Sequence, residues 1–92
     1  MSDTYFLYIL KNEVSSRHYI GISGDPTKRL SQHNGGHTLS TKPYRPWRLA
    51  LTQTFPSKKE ARIRETFLKK TARARKDIFD KIDRAGHGLL CI

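Results

Sequence analysis

Two short stretches decide the fold: Tyr5-Phe6-Leu7-Tyr8-Ile9-Leu10 and His18-Tyr19-Ile20-Gly21-Ile22. The first is wholly apolar or aromatic and rich in strand formers, which suits a central strand covered on both faces. The polar stretch Lys11–Arg17 separates it from the second, so the pair predicts a β-hairpin. Asp25-Pro26 then opens a helix, with Asp as the cap and Pro at the first helical position. The helix is expected to run to about Asn34, where Gly35-Gly36 stops it. Thr38–Pro46 reads as a loop. Trp47–Phe55 has its larger apolar groups at alternate positions, so a third strand with one face on the core is expected.

Ser57-Lys58-Lys59-Glu60 is a capping box, and the helix it opens is expected to reach about Ala74. A shorter helix is predicted over Asp77–Ala85, ended by Gly86, followed by an apolar tail of Leu89, Leu90 and Ile92 that packs back on the body. The order is therefore β-β-α-β-α-α. It implies an α+β domain with a three-stranded antiparallel sheet flanked by helices. The 92 residues make one domain, with its core over about 5–70 and a C-terminal helix and tail over 76–92.

Charge narrows the partners. Lys and Arg number 18 against 8 Asp and Glu, a net +10, which is the signature of a protein that meets polyanions. The bases concentrate in Ser57–Lys76, where Lys58, Arg62, Lys69, Lys70 and Arg73 stand among few acids. A solvated helix face is the plain reading of such a run, and nucleic-acid backbone contact is the reading favoured by the shortage of acids. No run of about 18 apolar residues exists, and Met1-Ser2-Asp3-Thr4 does not read as a signal peptide. An intracellular, cytoplasmic protein is expected. The single cysteine, Cys91, rules out an internal disulfide and a multi-cysteine metal site.

Three sets of residues exceed structural need. Glu65 falls on the same helical face as Ala61, Leu68 and Ala72, and an inward carboxylate is expensive unless a cation or hydrogen-bond donors meet it. A structural arginine and a divalent metal serve equally well on spacing alone. Arg29 and His33 share a face at i and i+4, either as a solvated edge or as a phosphate clamp. Tyr5, Tyr8 and Tyr19 read first as strand aromatics with hydroxyls at the rim. His18 and His87 read as surface groups and Trp47 as a core anchor.

In this order, the residues resemble a known pattern. Phe6-Leu7-Tyr8 and Tyr19-Ile20-Gly21 resemble the two strand motifs of the GIY-YIG nuclease domain. Lys28-Arg29-Leu30-Ser31-Gln32-His33-Asn34 resembles that family's helix motif, and Ala61–Lys69 its metal-binding glutamate helix. The small stand-alone bacterial branch is the most similar. Two departures stand out: Phe6-Leu7 replace the first motif's glycine and isoleucine, and Ile22 stands where some branches carry lysine. The resemblance implies a Mg2+- or Mn2+-dependent endonuclease in DNA repair, recombination or processing. In it Glu65 would hold the metal, Arg29 would neutralise phosphate oxygens, and Tyr8 would accept a proton from water. Tyr19 would orient water or phosphate, and His33 would orient Tyr8 or relay its proton. Nothing resembles a base-reading element, so selection by nucleic-acid structure is expected. The expected partner is DNA ahead of RNA, with no membrane and a monomer by default. The rivals are a non-catalytic nucleic-acid-binding module of the same fold and an RNA-associated basic protein.

Overall fold

The computed structural model describes residues 4–92, so Met1, Ser2 and Asp3, and with them most of the stretch read against a signal peptide, lie outside the described residues. Strand β1 spans Tyr5–Asn12, β2 His18–Ser23, helix α1 Pro26–Asn34 and β3 Trp47–Phe55. Helices α2 (Lys58–Lys70) and α3 (Ala72–Arg84) follow, and β4 (Leu90–Cys91) closes the chain. The sheet is four-stranded in the order β2-β1-β3-β4. β1 pairs antiparallel with β2 and β3, whereas β4 lies parallel to β3, with Leu51 opposite Leu90.

This corrects the expected three-stranded antiparallel sheet. The tail does pack back, but as a strand: Ile92 N–H donates to Thr52 O (2.8 Å) and Thr54 N–H to Ile92 O (3.3 Å). A two-residue strand carries too little periodicity to be read from sequence.

β1 divides the core, because successive side chains of a strand point to opposite faces. Leu7 and Ile9 face α2 and α3, packing with Ile20, Leu51, Leu68, Ile78 and Ile82. Tyr8 and Leu10 face the other way, packing with Trp47, Tyr19, Leu30 and Leu49. On β3 the pairing skips a residue: Ile9 faces Leu51 and Leu10 faces Leu49, leaving Ala50 as a bulge. The bulge changes which side β3 presents. Trp47 and Leu49 join the Tyr8 face, while Ala50, Leu51 and Phe55 join the opposite core. The predicted strand is right, but its apolar residues serve two faces.

The helix expected to reach Ala74 ends at Lys70. Ser57 caps α2 as predicted, accepting from Glu60 N–H (3.4 Å). Thr71, in extended backbone (φ −116°, ψ 92°), then ends α2 and begins α3, so the last helix starts at Ala72 rather than Asp77. Nothing in Lys69–Arg73 breaks a helix locally. The break is stabilised from outside: Arg75 Nη1 donates to Leu68 O (3.2 Å) and Lys69 O (2.7 Å), occupying carbonyls that the end of α2 leaves free. The turn lets Ile78 and Ile82 reach the core.

α1 forms as predicted. Asp25 accepts from Lys28 N–H (3.1 Å), and Pro26 takes the first turn. Its far end is pinned to β3 by Asn34, which donates through Nδ2 to Trp47 O (2.9 Å) and accepts through Oδ1 from Trp47 N–H (2.7 Å). The side chain thus acts as a neighbouring strand for one residue. Asn34→Ala leaves both backbone groups without these partners and is expected to destabilise the fold by about 1–3 kcal/mol, measured by urea unfolding.

Candidate active site

Tyr8 is 1% exposed and His33 fully buried. Tyr8 sits opposite Gly21 in the β1–β2 pairing, and its ring passes over that glycine. A Cβ on residue 21 would lie 2.6 Å from the Tyr8 hydroxyl and 3.0 Å from the Tyr19 ring. Glycine is therefore required here for the space, not for its backbone freedom. Across it, Tyr8 reaches His33 Nε2 at 3.1 Å. The Tyr19 ring packs against His33 at 4.6 Å between centroids.

The hydrogen bonds around His33 fix where its proton sits. Thr41, 2% exposed, holds Oγ1 at 2.8 Å from His33 Nδ1. The Thr41 hydroxyl proton is committed to Thr38 O (3.3 Å), so Thr41 Oγ1 accepts from His33 Nδ1–H. That leaves the Nε2 lone pair facing Tyr8, whose O–H donates to it. The chain runs Tyr8 to His33 to Thr41 to the Thr38 carbonyl, and each donor has an acceptor. Thr41 was not singled out in the sequence. It belongs to a loop segment with no motif of its own, and Trp47 Nε1–H, bonded to Thr41 O (3.0 Å), holds it in place.

Arg29 lies one turn before His33 on α1 and donates through Nη1 to Gln32 Oε1 (2.5 Å). Burial raises the Tyr8 pKa above the usual phenol value. Against it work a hydrogen bond and positive charge from Arg29, whereas Tyr19 and Glu65 add to the rise. Burial, and then the Arg29 charge, lower the His33 pKa. Both effects agree with the hydrogen bonds: a neutral phenol meets a neutral imidazole with its lone pair free.

Glu65 comes from α2, its side chain 15% exposed, within electrostatic reach of Tyr8. It pairs with Lys69 Nζ at 3.3 Å, a lysine half exposed. Lys58, Arg62, Glu65 and Lys69 stand at i, i+4, i+7 and i+11, so they share one line along the helix. Three of the five predicted nucleic-acid contacts therefore flank Glu65. Lys70 lies off that line, and Arg73 belongs to α3 instead of extending α2. His18 is corrected from a surface group: its side chain is 6% exposed, stacked on Phe79 at 4.1 Å and bonded to Asp83 at 3.1 Å. Of the residues at the two motif departures, Leu7 and Ile22 both pack on the α2–α3 core.

Among the described residues no three His, Cys, Asp or Glu side chains converge. A caged transition metal does not fit. A hard cation that keeps its waters and needs one carboxylate does fit Glu65, whose present partner is a displaceable lysine.

Fold and cluster together define the class: an α+β domain whose polar site is carried by a tyrosine-bearing hairpin, a short helix and a basic helix with one inward acid. The chain belongs to the GIY-YIG family, whose catalytic-domain pattern matches residues 4–77. It is 33% identical over 79 residues to the UPF0213 protein YazA of Bacillus subtilis (strain 168), covering 85% of this chain and 79% of that protein. It is 45% identical over 62 residues to the structure-specific endonuclease subunit SLX1 of Meyerozyma guilliermondii, covering 59% of this chain but 21% of that protein. The solution structure of the UPF0213 protein BH0048 from Bacillus halodurans superposes with a TM-score of 0.50 at 29% identity, over 92% of this chain and 87% of that one. The family supports a nuclease whose substrate is nucleic acid. No helix among the described residues is long and apolar enough to cross a membrane.

His33 binds its proton less readily folded than unfolded, so unfolding is favoured as pH falls below its ordinary 6.5. Urea unfolding at about pH 7.5 and about pH 5.5 should show this loss, and His33→Gln should flatten it. Thr41→Val removes the acceptor at Nδ1 while keeping shape. Nitrogen NMR of labelled His33 should then show the proton shifting from Nδ1 to Nε2, whereas Thr41→Ser should keep the wild-type tautomer.

Proposed function

We propose that the chain is a divalent-metal-dependent endonuclease that hydrolyses phosphodiester bonds of DNA, selecting by structure rather than base sequence. The observation that carries this reading is the directed hydrogen bond from Tyr8 to a neutral, buried His33, with Arg29 beside both. A phenol alone is a poor base at neutral pH. Here a water near Tyr8 can pass its proton to the phenol oxygen while the phenol proton moves to His33 Nε2. The water oxygen bonds to phosphorus, the ester P–O bond breaks, and the leaving oxygen takes a proton from solvent. Arg29 meets the charge that builds on the non-bridging oxygens, with donors left after its bond to Gln32. Tyr19, packed on His33, is placed to orient the water or a phosphate oxygen.

Glu65 would hold Mg2+ or Mn2+, which supplies stabilisation of charge on the phosphate and leaving oxygens. Lys58, Arg62 and Lys69 would follow the backbone on either side of Glu65, contacts that position without reading bases. SLX1 is named as a structure-specific endonuclease subunit, and its 45% identity to part of this chain supports the same preference here.

Purified protein with magnesium should cut branched or flapped DNA in preference to plain duplex. Glu65→Gln, Arg29→Ala and Tyr8→Phe should each lower the single-turnover rate by about 100-fold or more, with circular dichroism unchanged. No cutting in magnesium or manganese across the substrate panel, with salt-sensitive binding retained, would establish the non-catalytic module instead.

A further inference from the structure

A groove of about 370 Å³ opens beside the candidate site, between the Ser16–Arg17 turn, the start of β2 and the 40–44 segment. Tyr19 and Thr41 line it, and both also contact His33, so the groove continues the catalytic cluster. Its lining carries the aromatic rings of Tyr19, Tyr44, Trp47 and Phe79. The Trp47 indole N–H is already taken by Thr41 O, so that wall is fixed and apolar.

One permanent cation, Arg17, stands in this lining, which also holds His18, itself bonded to Asp83. The Arg17 guanidinium lies 3.9 Å from the Tyr44 ring centroid, held over its face. Among the described residues Arg17 makes no ion pair, and the groove lining contains no carboxylate. A cationic occupant is therefore disfavoured and an anionic one attracted. The volume is at the small end of the range for ligand pockets, about 300–1,000 Å³, which admits a single flat ring with its sugar and no duplex.

We propose that this groove seats one unpaired nucleotide of the nucleic-acid strand, its base stacked against the Tyr44–Arg17 pair and its phosphate meeting Arg17. The inference rests on the nuclease reading and gives its selectivity a source. Stacking is blind to base identity, because every base offers a π-face. A base can enter only if it has left the helix, so the groove selects DNA with an unpaired nucleotide beside the cut and is indifferent to sequence.

The test is binding, not cutting. Wild-type protein in a metal chelator is titrated with a junction carrying one unpaired 2-aminopurine and with the fully paired duplex of the same sequence. The junction is expected to bind more tightly, with its fluorescence quenched by stacking. Tyr44→Ala and Arg17→Gln should weaken junction binding about tenfold and leave duplex binding unchanged, whereas Tyr44→Phe should retain both affinity and quenching. Equal loss on both DNAs, or no loss on either, overturns the groove while leaving the nuclease reading standing. Failure of the wild-type protein to bind any DNA overturns both.

Discussion

The passage of the Tyr8 ring over Gly21 is the constraint on which the site depends. It brings a hydroxyl from the middle of the central strand to an imidazole on α1, and any side chain at residue 21 would collide with it. The alternation of side chains along β1 sets the sheet's division of labour. β1 gives Leu7 and Ile9 to the α2–α3 core, which supplies most of the apolar burial. That leaves its other face free to carry Tyr8, whose burial would otherwise be hard to reconcile with a polar tip. The tip is satisfied by His33, and His33 in turn by Thr41. A buried polar chain of this kind is stable only when every member is paired, which explains why an unremarkable loop threonine belongs to the site.

Electrostatics organise the second half of the site. α2 carries Glu65 within a line of bases, so the carboxylate is the one acid on a basic stripe. Its pairing with Lys69 is an exposed i, i+4 contact worth only a few tenths of a kcal/mol, about 0.3–0.5. Such a bond holds the carboxylate in readiness without holding it fast. Arg29 on α1 and Glu65 on α2 act on Tyr8 from different elements, the first favouring its phenolate and the second opposing it.

Much of this is legible in the sequence. The continuous apolar run of β1, the Asp25-Pro26 start of α1 and the Ser57 cap are local signals, and the structure follows each of them. The five polar candidates were found through the spacing of separate motifs. Four of the five interact directly or electrostatically with Tyr8 or His33, and the fifth is Tyr8 itself. What escaped was decided at a distance. The Ala50 bulge depends on how two strands pair, the break at Thr71 on an arginine four residues later, and β4 on an edge of β3 left open. Thr41 escaped for the same reason: its role exists only once His33 is beside it.

The opposed effects of Arg29 give the site a resting state and a way out of it. Its charge favours the Tyr8 phenolate but disfavours the His33 imidazolium, while burial holds both groups neutral. In the empty site a proton on Tyr8 therefore has no reason to move. On the proposed reading, an arriving phosphate brings negative charge next to Arg29 and offsets its field. That relieves the part of the restraint on His33 that comes from Arg29, which ranks second to burial. Substrate thus raises the basicity of the acceptor at the end of the chain, and does so only when a phosphate occupies the position where the proton transfer is useful.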